Sequence, residues 1–325
     1  MTAVLAPLPA FALNRPDLSR WRAGNTGTAG VWRFTASRPG PSVALTALIH
    51  GNELCGAWAA AGLLESLHRG STLRCGELTV ALCNLEAFDR FDPKQPGASR
   101  FVEEDMNRVW SADRLADGAT RERRRAAELL PWLAHADVLL DLHSMHEPGS
   151  PLLLTGPLPR HVSLVRELAL GGHVVVDAGH ADGVRLRDHG RYGDPAGSAR
   201  ALLVECGWHG DPAGRHVAQD ATLRLLLHTG LLMAGDLPPD WQLAAPPAQW
   251  RLEVTSAVRA RSTRFRFVRE FENLECIARG GAVIADNDGE TVTTPYDDCV
   301  LVMPSLRQLR AGVTVVRLAR RRALA

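Results

Sequence analysis

Short apolar runs alternate with longer stretches of helical character up to about residue 235. Val43 to Ile49 reads as a buried strand, and the small and apolar run from Leu54 to about His68 reads as a helix. Leu78 to Cys83 is a second strand, ending at Asn84, so the first unit is strand, helix, strand. That spacing is a βαβ unit, which calls for a parallel or mixed sheet. Further along, the pattern predicts a helix over 118–135, strands at 136–142, 152–155, 174–176 and 201–204, and helices over 160–169 and 214–234. Residues 1–40 are broken by Pro7, Pro9, Pro16, Pro39 and Pro41, with Trp21, Val31, Trp32 and Phe34 marking short strands that lead into the core. Two stretches, Asn84 to Trp110 and Asp177 to Ser198, show no period, and long loops inside compact domains are commonly functional.

Residues 236–250 hold Pro238, Pro239, Pro246 and Pro247 and read as a linker. Beyond it the period shortens to alternating runs at 251–258, 265–269, 282–285, 291–293, 300–303 and 313–318, with a hairpin turn at Asn287-Asp288-Gly289. The expected architecture is an α/β catalytic domain over 1–235, a mixed but mostly parallel sheet flanked by helices. A smaller β-rich domain over 251–325, packed as a sandwich or barrel, follows the linker.

The chain has 325 residues, 46% of them hydrophobic, enough to bury one large core or two unequal ones. A net charge of +1 gives no electrostatic reason to bind nucleic acid or an anionic membrane. Six cysteines, Cys55, Cys75, Cys83, Cys206, Cys276 and Cys299, include no CxxC pair and read as free thiols in a reducing compartment. Met1 to Leu13 is apolar without a basic flank, and no apolar run reaches the length of a membrane span. A cytoplasmic location without a membrane partner is therefore expected; the oligomeric state is not legible.

The chemistry gathers where strands end. His50 and Glu53 stand in the turn between the first strand and its helix, His143 follows the strand 136–142, and Glu205 follows 201–204. In open α/β sheets these edges face one crevice. Two histidines and a carboxylate, with one position left for water, make an open zinc site, and the spare carboxylate, Glu205, suits a general base. The aperiodic loop adds Arg100, fit to steady an oxyanion, and Asn107 with Arg108, fit to hold a substrate carboxylate. The basic run Arg121, Arg123, Arg124 and Arg125 reads as a solvated helix face paired with Glu122 and Glu128. His146 and His209 read as outer or rim residues, and Asp141, pointing away from the site if His143 points in, as making a helix-side hydrogen bond or standing as an outer partner of the site.

His50-Gly51-Asn52-Glu53, Arg100 with Asp105-Met106-Asn107-Arg108, Asp141-Leu142-His143-Ser144 and Val204-Glu205-Cys206-Gly207 together resemble the succinylglutamate desuccinylase/aspartoacylase family, a branch of the zinc carboxypeptidase-like fold. The resemblance implies one zinc ion on His50, Glu53 and His143, with Glu205 as the catalytic carboxylate. It further implies that Arg100 polarises the scissile carbonyl and that Asn107 and Arg108 bind a substrate carboxylate. The implied reaction is hydrolysis of the amide of a small carboxylated N-acyl substrate. A metallocarboxypeptidase or esterase using the same site, and a catalytically silent metal-binding protein, are the alternatives. The chain departs from the family where a substrate-binding arginine stands ten residues before the catalytic glutamate: here the residue is Pro195. Arg191, or Arg200, is the nearest substitute, and Tyr296, or Tyr192, is the candidate for a tyrosine that reaches the site in some relatives.

Overall fold

The computed structural model describes residues 7–180, 182–236, 243 and 249–324. The elements are β1 Val31–Thr35, β2 Ser42–Ala47, α1 Leu54–His68, β3 Glu77–Leu82, α2 Leu85–Asp89, α3 Ala112–Asp117, α4 Arg121–Leu133, β4 Val138–Met145, β5 Leu152–Thr155, α5 Pro159–Leu168, β6 His173–Val176, β7 Arg200–Trp208, α6 Ala213–His228, β8 Trp250–Arg259, β9 Arg266–Phe267, β10 Cys276–Ile277, β11 Val283–Asn287, β12 Glu290–Thr293, β13 Cys299–Val302 and β14 Thr314–Ala323. Eleven strands form one sheet in the order β1-β3-β2-β4-β7-β5-β6-β8-β14-β13-β10. Strands β3, β2, β4 and β7 run parallel at its centre. The mixed, mostly parallel sheet flanked by helices is the fold class expected from the sequence.

The central strands are apolar on both faces because helices cover both. Leu63 and Leu64 of α1, Leu225 and Leu226 of α6 and Leu164 of α5 pack with Leu45, Leu140, Leu202 and Val204. On the other face Leu129 and Leu133 of α4 pack with Ala44, Leu139, Ala201, Trp110 and Tyr192. Such two-sided burial produces continuous apolar runs rather than alternation.

Two central strands run further than the sequence suggested. β4 passes through His143 to Met145, and β7 passes through Glu205 to Trp208. His143 and Glu205 therefore sit inside strands, as register partners. The pairing shifts between His143 and Met145, a bulge of the kind found beside active sites. α4 is shorter than predicted and α6 ends at His228, while the aperiodic stretch after Asn84 holds α2 and two single-turn helices.

The tail does not pack as a separate closed barrel. β8 joins β6 in parallel, and β14, β13 and β10 continue the same sheet antiparallel. A second sheet, β12-β11-β9, lies over that extension around Phe265, Phe267, Ile284, Leu301, Val316 and Leu318. The predicted hairpin turn connects β11 to β12, with Asp288 (φ +63°) and Gly289 (φ +87°) both left-handed as a type I′ turn requires. The linker prolines Pro238, Pro239, Pro246 and Pro247 lie outside the described residues.

Candidate metal centre and active-site cleft

The turn after β2 is built to aim two side chains at once. Leu48 leaves the strand at φ +60°, held by Asn84, whose main-chain N–H donates to the Leu48 carbonyl at 2.8 Å. Gly51 can be no other residue: a Cβ there would lie 2.3 Å from the Ala87 carbonyl carbon and 2.5 Å from the Ser99 oxygen. His50 and Glu53 emerge from this turn 2% and 1% exposed. Glu53 then meets His143, delivered from β4. The Glu53 Oε1 lies 2.7 Å from His50 Nδ1, and its Oε2 lies 2.8 Å from His143 Nδ1.

Donor atoms of His50, Glu53 and His143 all fall within 4.8 Å of one another. The histidines present Nδ1 inward and use Nε2 outward, His50 toward Asp105 at 2.9 Å and His143 toward Asp141 at 2.9 Å. Carboxylates behind both imidazoles are the usual outer partners of metal-bound histidines. Glu53 Oε2 is buried and close to His143 Nδ1 but lacks hydrogen-bond alignment with any group. A fully buried carboxylate oxygen left in this way, on a carboxylate set between two imidazole nitrogens, fits a divalent cation of the zinc type.

Asp141 stands behind the His143 ring, the outer-partner place that the sequence left open for it. It stands two residues before His143, so it shares that face of β4. Its Oδ1 accepts the Thr46 hydroxyl at 2.6 Å, and its Oδ2 faces His143 Nε2 at 2.9 Å as an ionic contact without hydrogen-bond alignment.

The charges reinforce one another. Burial works against the Glu53 carboxylate, but the two histidines outweigh it and hold its pKa well below the usual range. Burial likewise opposes protonation of His143, yet Asp141 and Glu53 lift its pKa well above the usual value. Glu205 differs: burial, and then the charge on Glu53, push its pKa up to about 8. Its Oε2 is buried without a hydrogen-bond partner. Arg100 reaches in from the loop, donating to Glu53 Oε1 at 3.3 Å and Asp105 Oδ2 at 3.0 Å, with its Nε buried and unpartnered.

These residues line one cleft of about 170 Å³. Its far wall is cationic: Arg108 and Asn107 come from the loop, Arg185 from the 177–198 stretch, and Arg317 from β14. Arg185 Nη2 and Arg317 Nε both donate to Asp177 Oδ2, at 2.7 and 3.0 Å, so one carboxylate serves two guanidiniums. Arg185 Nη1 is buried without a hydrogen-bond partner. Burial first, and then Arg185, Arg100 and Arg317, bring the Arg108 pKa down to about 10 despite Asp105. His180 lines the same wall and is kept neutral, its pKa pushed down to about 2 by burial and then by Arg108 and Arg317. Residues of the tail, Asn273, Met303, Ser305, Gln308 and Val313 among them, close the cleft from the other side.

All seven motif residues, His50, Glu53, Arg100, Asn107, Arg108, His143 and Glu205, thus line a single cleft. Arg191 and Tyr296 do not. Arg191 donates to the His135 carbonyl at 2.7 Å and faces Asp137, beside the start of β4. Tyr296 shares a hydrogen bond with Thr255 and lies under Arg320. Arg200 pairs with Glu167, and the Tyr192 hydroxyl donates to the Leu133 carbonyl inside the core. Arg185, Arg317 and His180 escaped the sequence reading. Arg185 and His180 shared the one available signal, their place in the aperiodic Gly-, Asp- and Arg-rich loop. His209 is no rim residue: it is buried, 2.7 Å from the Ser144 hydroxyl through Nδ1 and 3.1 Å from His146 through Nε2.

Residues 39–170 match the succinylglutamate desuccinylase/aspartoacylase catalytic domain. The family resemblance read from the motifs therefore holds. A succinylglutamate desuccinylase from Vibrio parahaemolyticus is 16% identical and superposes with a TM-score of 0.64, covering 90% of this chain and 86% of that one. An aspartoacylase family protein from Mesorhizobium loti is 19% identical, with a TM-score of 0.61 and coverage of 90% and 89%. The ectoine utilization protein EutE (DoeB) from Ruegeria pomeroyi, solved with product bound, is 15% identical, with a TM-score of 0.63 and coverage of 89% and 88%. At these identities the likeness is one of fold. No curated protein matches the chain in sequence. Among the described residues no helix is long and apolar enough to cross a membrane.

Proposed function

We propose that this protein is a zinc-dependent hydrolase that cleaves the amide bond of a small N-acyl amino acid or a related carboxylated amide, with one zinc ion per chain on His50, Glu53 and His143. The observation that carries this reading is the meeting, in one cleft, of that donor set, a second buried carboxylate on Glu205 and a wall of arginines of which two share the Asp177 carboxylate. When bound, the cation supplies a Lewis acid and acidifies water. Glu205 takes the proton from the attacking water and passes it to the leaving nitrogen, with its buried Oε2 free of any hydrogen bond among the described residues. Arg100, with its buried Nε unpartnered, donates to the oxygen of the scissile carbonyl as charge develops there. Asn107 and Arg108 hold the substrate carboxylate, and the guanidinium fork of Arg108 orients it.

Substrate size follows from the tail. In this reading residues 1–235 carry the chemistry and residues 251–325 close the cleft, which favours a small molecule over the end of a polypeptide. The test is metal analysis of the purified protein coupled to a hydrolysis screen over N-acyl amino acids, their amidated analogues, carboxyl esters and short peptides. Stoichiometric zinc, with turnover confined to small carboxylated amides, is the expected result. Faster cleavage of peptides or of uncharged esters would overturn the substrate assignment, and full activity without metal would overturn the mechanism.

A further inference from the structure

The first turn of α4 does something the sequence pattern does not suggest. Its basic run reads as a solvated face paired with Glu122 and Glu128; Arg125 does pair with Glu128 at 3.1 Å, yet Glu122 is 1% exposed, and its carboxylate's partners among the described residues lie elsewhere. Its carboxylate instead accepts three consecutive main-chain amides of the neighbouring loop. Val102 N–H donates to Oε1 at 2.6 Å, and the N–H groups of Glu103 and Glu104 donate to Oε2 at 3.1 Å each. Asn84 Nδ2 adds a fourth donor at 3.1 Å. Successive amides turned toward one anion form a nest, and here the anion is supplied from within the chain.

The same turn grips the loop a second time through side chains. Arg121 pairs with Glu103, and Arg123 donates to both oxygens of Glu104 at 2.7 and 2.9 Å. Residues 102–104 are thus held by their backbone from inside and by their side chains from outside. They lie between Arg100 and Asp105. Asp105 sets the His50 ring, its Oδ1 accepts the Asn107 amide at 2.8 Å, and Arg108 follows directly.

We propose that Glu122 is a positioning residue for the site. By fixing residues 102–104 it sets where Asp105 meets His50 and where Arg108 stands in the cleft. A carboxylate buried without a cation is costly unless its lone pairs are filled, and these are filled only while the loop keeps its present path. The carboxylate therefore selects one loop conformation. The consequence for metal and substrate rests on the function proposed above; the hold on the loop does not.

Glu122→Gln tests it, because the amide nitrogen must then face an N–H group. Hydrogen exchange is read first, on metal-free protein. Protection at the amides of 102–104 is expected to fall by about tenfold or more while the amides at the C-terminal half of α4 keep theirs. Unchanged protection at 102–104 would overturn the proposal. Zinc competition with a chelator is read next, and the dissociation constant is expected to rise about tenfold, the lower end of what outer partners cost. Leu129→Ala, which opens a cavity under the same helix, serves as the structural control. If it shifts metal affinity and exchange at 102–104 as much as Glu122→Gln does at a matched loss of Tm, Glu122 only supports the helix and the proposal fails. Should Glu122→Gln not fold, Glu122→Asp keeps the charge and shortens its reach, and the same two readouts decide. A wild type that binds no zinc would refute the functional reading and leave the exchange test of Glu122 standing.

Discussion

Replacing Asp141 with asparagine probes the metal centre without removing any ligand. Asp141 is fully buried, with Oδ1 on the Thr46 hydroxyl at 2.6 Å and Oδ2 at 2.9 Å from His143 Nε2. Asparagine fits the same volume. It can keep its oxygen toward His143, since the Thr46 hydroxyl can turn to accept from the new amide. What disappears is the charge. Oδ2 and Nε2 face each other without hydrogen-bond alignment, so the loss is mainly electrostatic and should cost about 1–2 kcal/mol of metal binding, near the lower end of what outer partners contribute. At about 1.4 kcal/mol per decade this is a five- to thirtyfold weaker zinc complex, in keeping with the roughly 10–100-fold range for outer partners of metal-bound histidines. Competition against a chromophoric chelator measures it, with circular dichroism to show that the variant is folded. A folded Asp141→Asn protein with wild-type zinc affinity would mean that His143 does not ligate through Nδ1, and the donor set would have to be abandoned.

Other outcomes follow from the same geometry. Glu205→Gln should keep its zinc and lose about two to four decades of turnover, as removal of a general base does; near-normal turnover would remove Glu205 from that role. Arg108→Lys, which replaces a fork with a point charge, should weaken carboxylated substrates by about 1.5–3 kcal/mol in kcat/KM and barely affect their amidated analogues. Equal losses on both would place the carboxylate elsewhere, with Arg185 the next to test. Stability should fall with acid through His161, which is 2% exposed and uses both ring nitrogens in its neutral form, Nε2 on the Tyr192 carbonyl at 2.9 Å and Nδ1 on the Ala201 amide at 3.0 Å. Burial lowers its pKa to about 4, against about 6.5 unfolded, so the unfolded chain takes up the proton first. The contribution is complete above about pH 6.5 and is lost as pH falls toward about 4, amounting to about 3 kcal/mol. Denaturant titrations at neutral and acid pH measure this, and His161→Gln should flatten the dependence; an unchanged slope would assign the acid sensitivity to other groups.

The sequence was most legible where one physical signal decides. α1 is a run of small and apolar residues with no competing pattern, and its predicted span agrees with Leu54–His68. The central strands were placed because burial on both faces leaves uninterrupted apolar runs. Their far ends were missed for a related reason. His143, Ser144 and Glu205 look like the polar residues that end a strand, but here the sheet itself carries them into a cleft, and polarity no longer marks an edge. Glu122 was misread similarly. Its neighbours Arg121 and Arg123 are surface residues, and the helical period says which face a residue takes but not that a loop will fold over the helix start to meet it.

The motif residues were legible because each sits in a short pattern of its own, at a strand end or in one loop, whereas Asp177, Arg185 and Arg317 belong to segments that carry no such pattern. Asp177, Arg185 and Arg317 meet only because β14 pairs with β8 and β8 with β6, which ends beside Asp177. No period or spacing encodes that closure. Physically, this is also the least self-sufficient part of the molecule. Buried guanidiniums are expensive, and here Arg185 and Arg317 share the Asp177 carboxylate, with Asp188 standing off at 4.0 Å from Arg185 Nη1. Elsewhere among the described residues, charges such as those of Arg74 and Asp236, or Arg123 and Glu104, pair locally. Folding stability alone gives no reason to leave the cleft wall short of an anion, since a neutral side chain at Arg185 would cost less to bury. In the function proposed above, the carboxylate of the substrate supplies the missing anion. The tail then acts as part of the recognition surface, because without Arg317 that wall would lose one of the charges that set its preference.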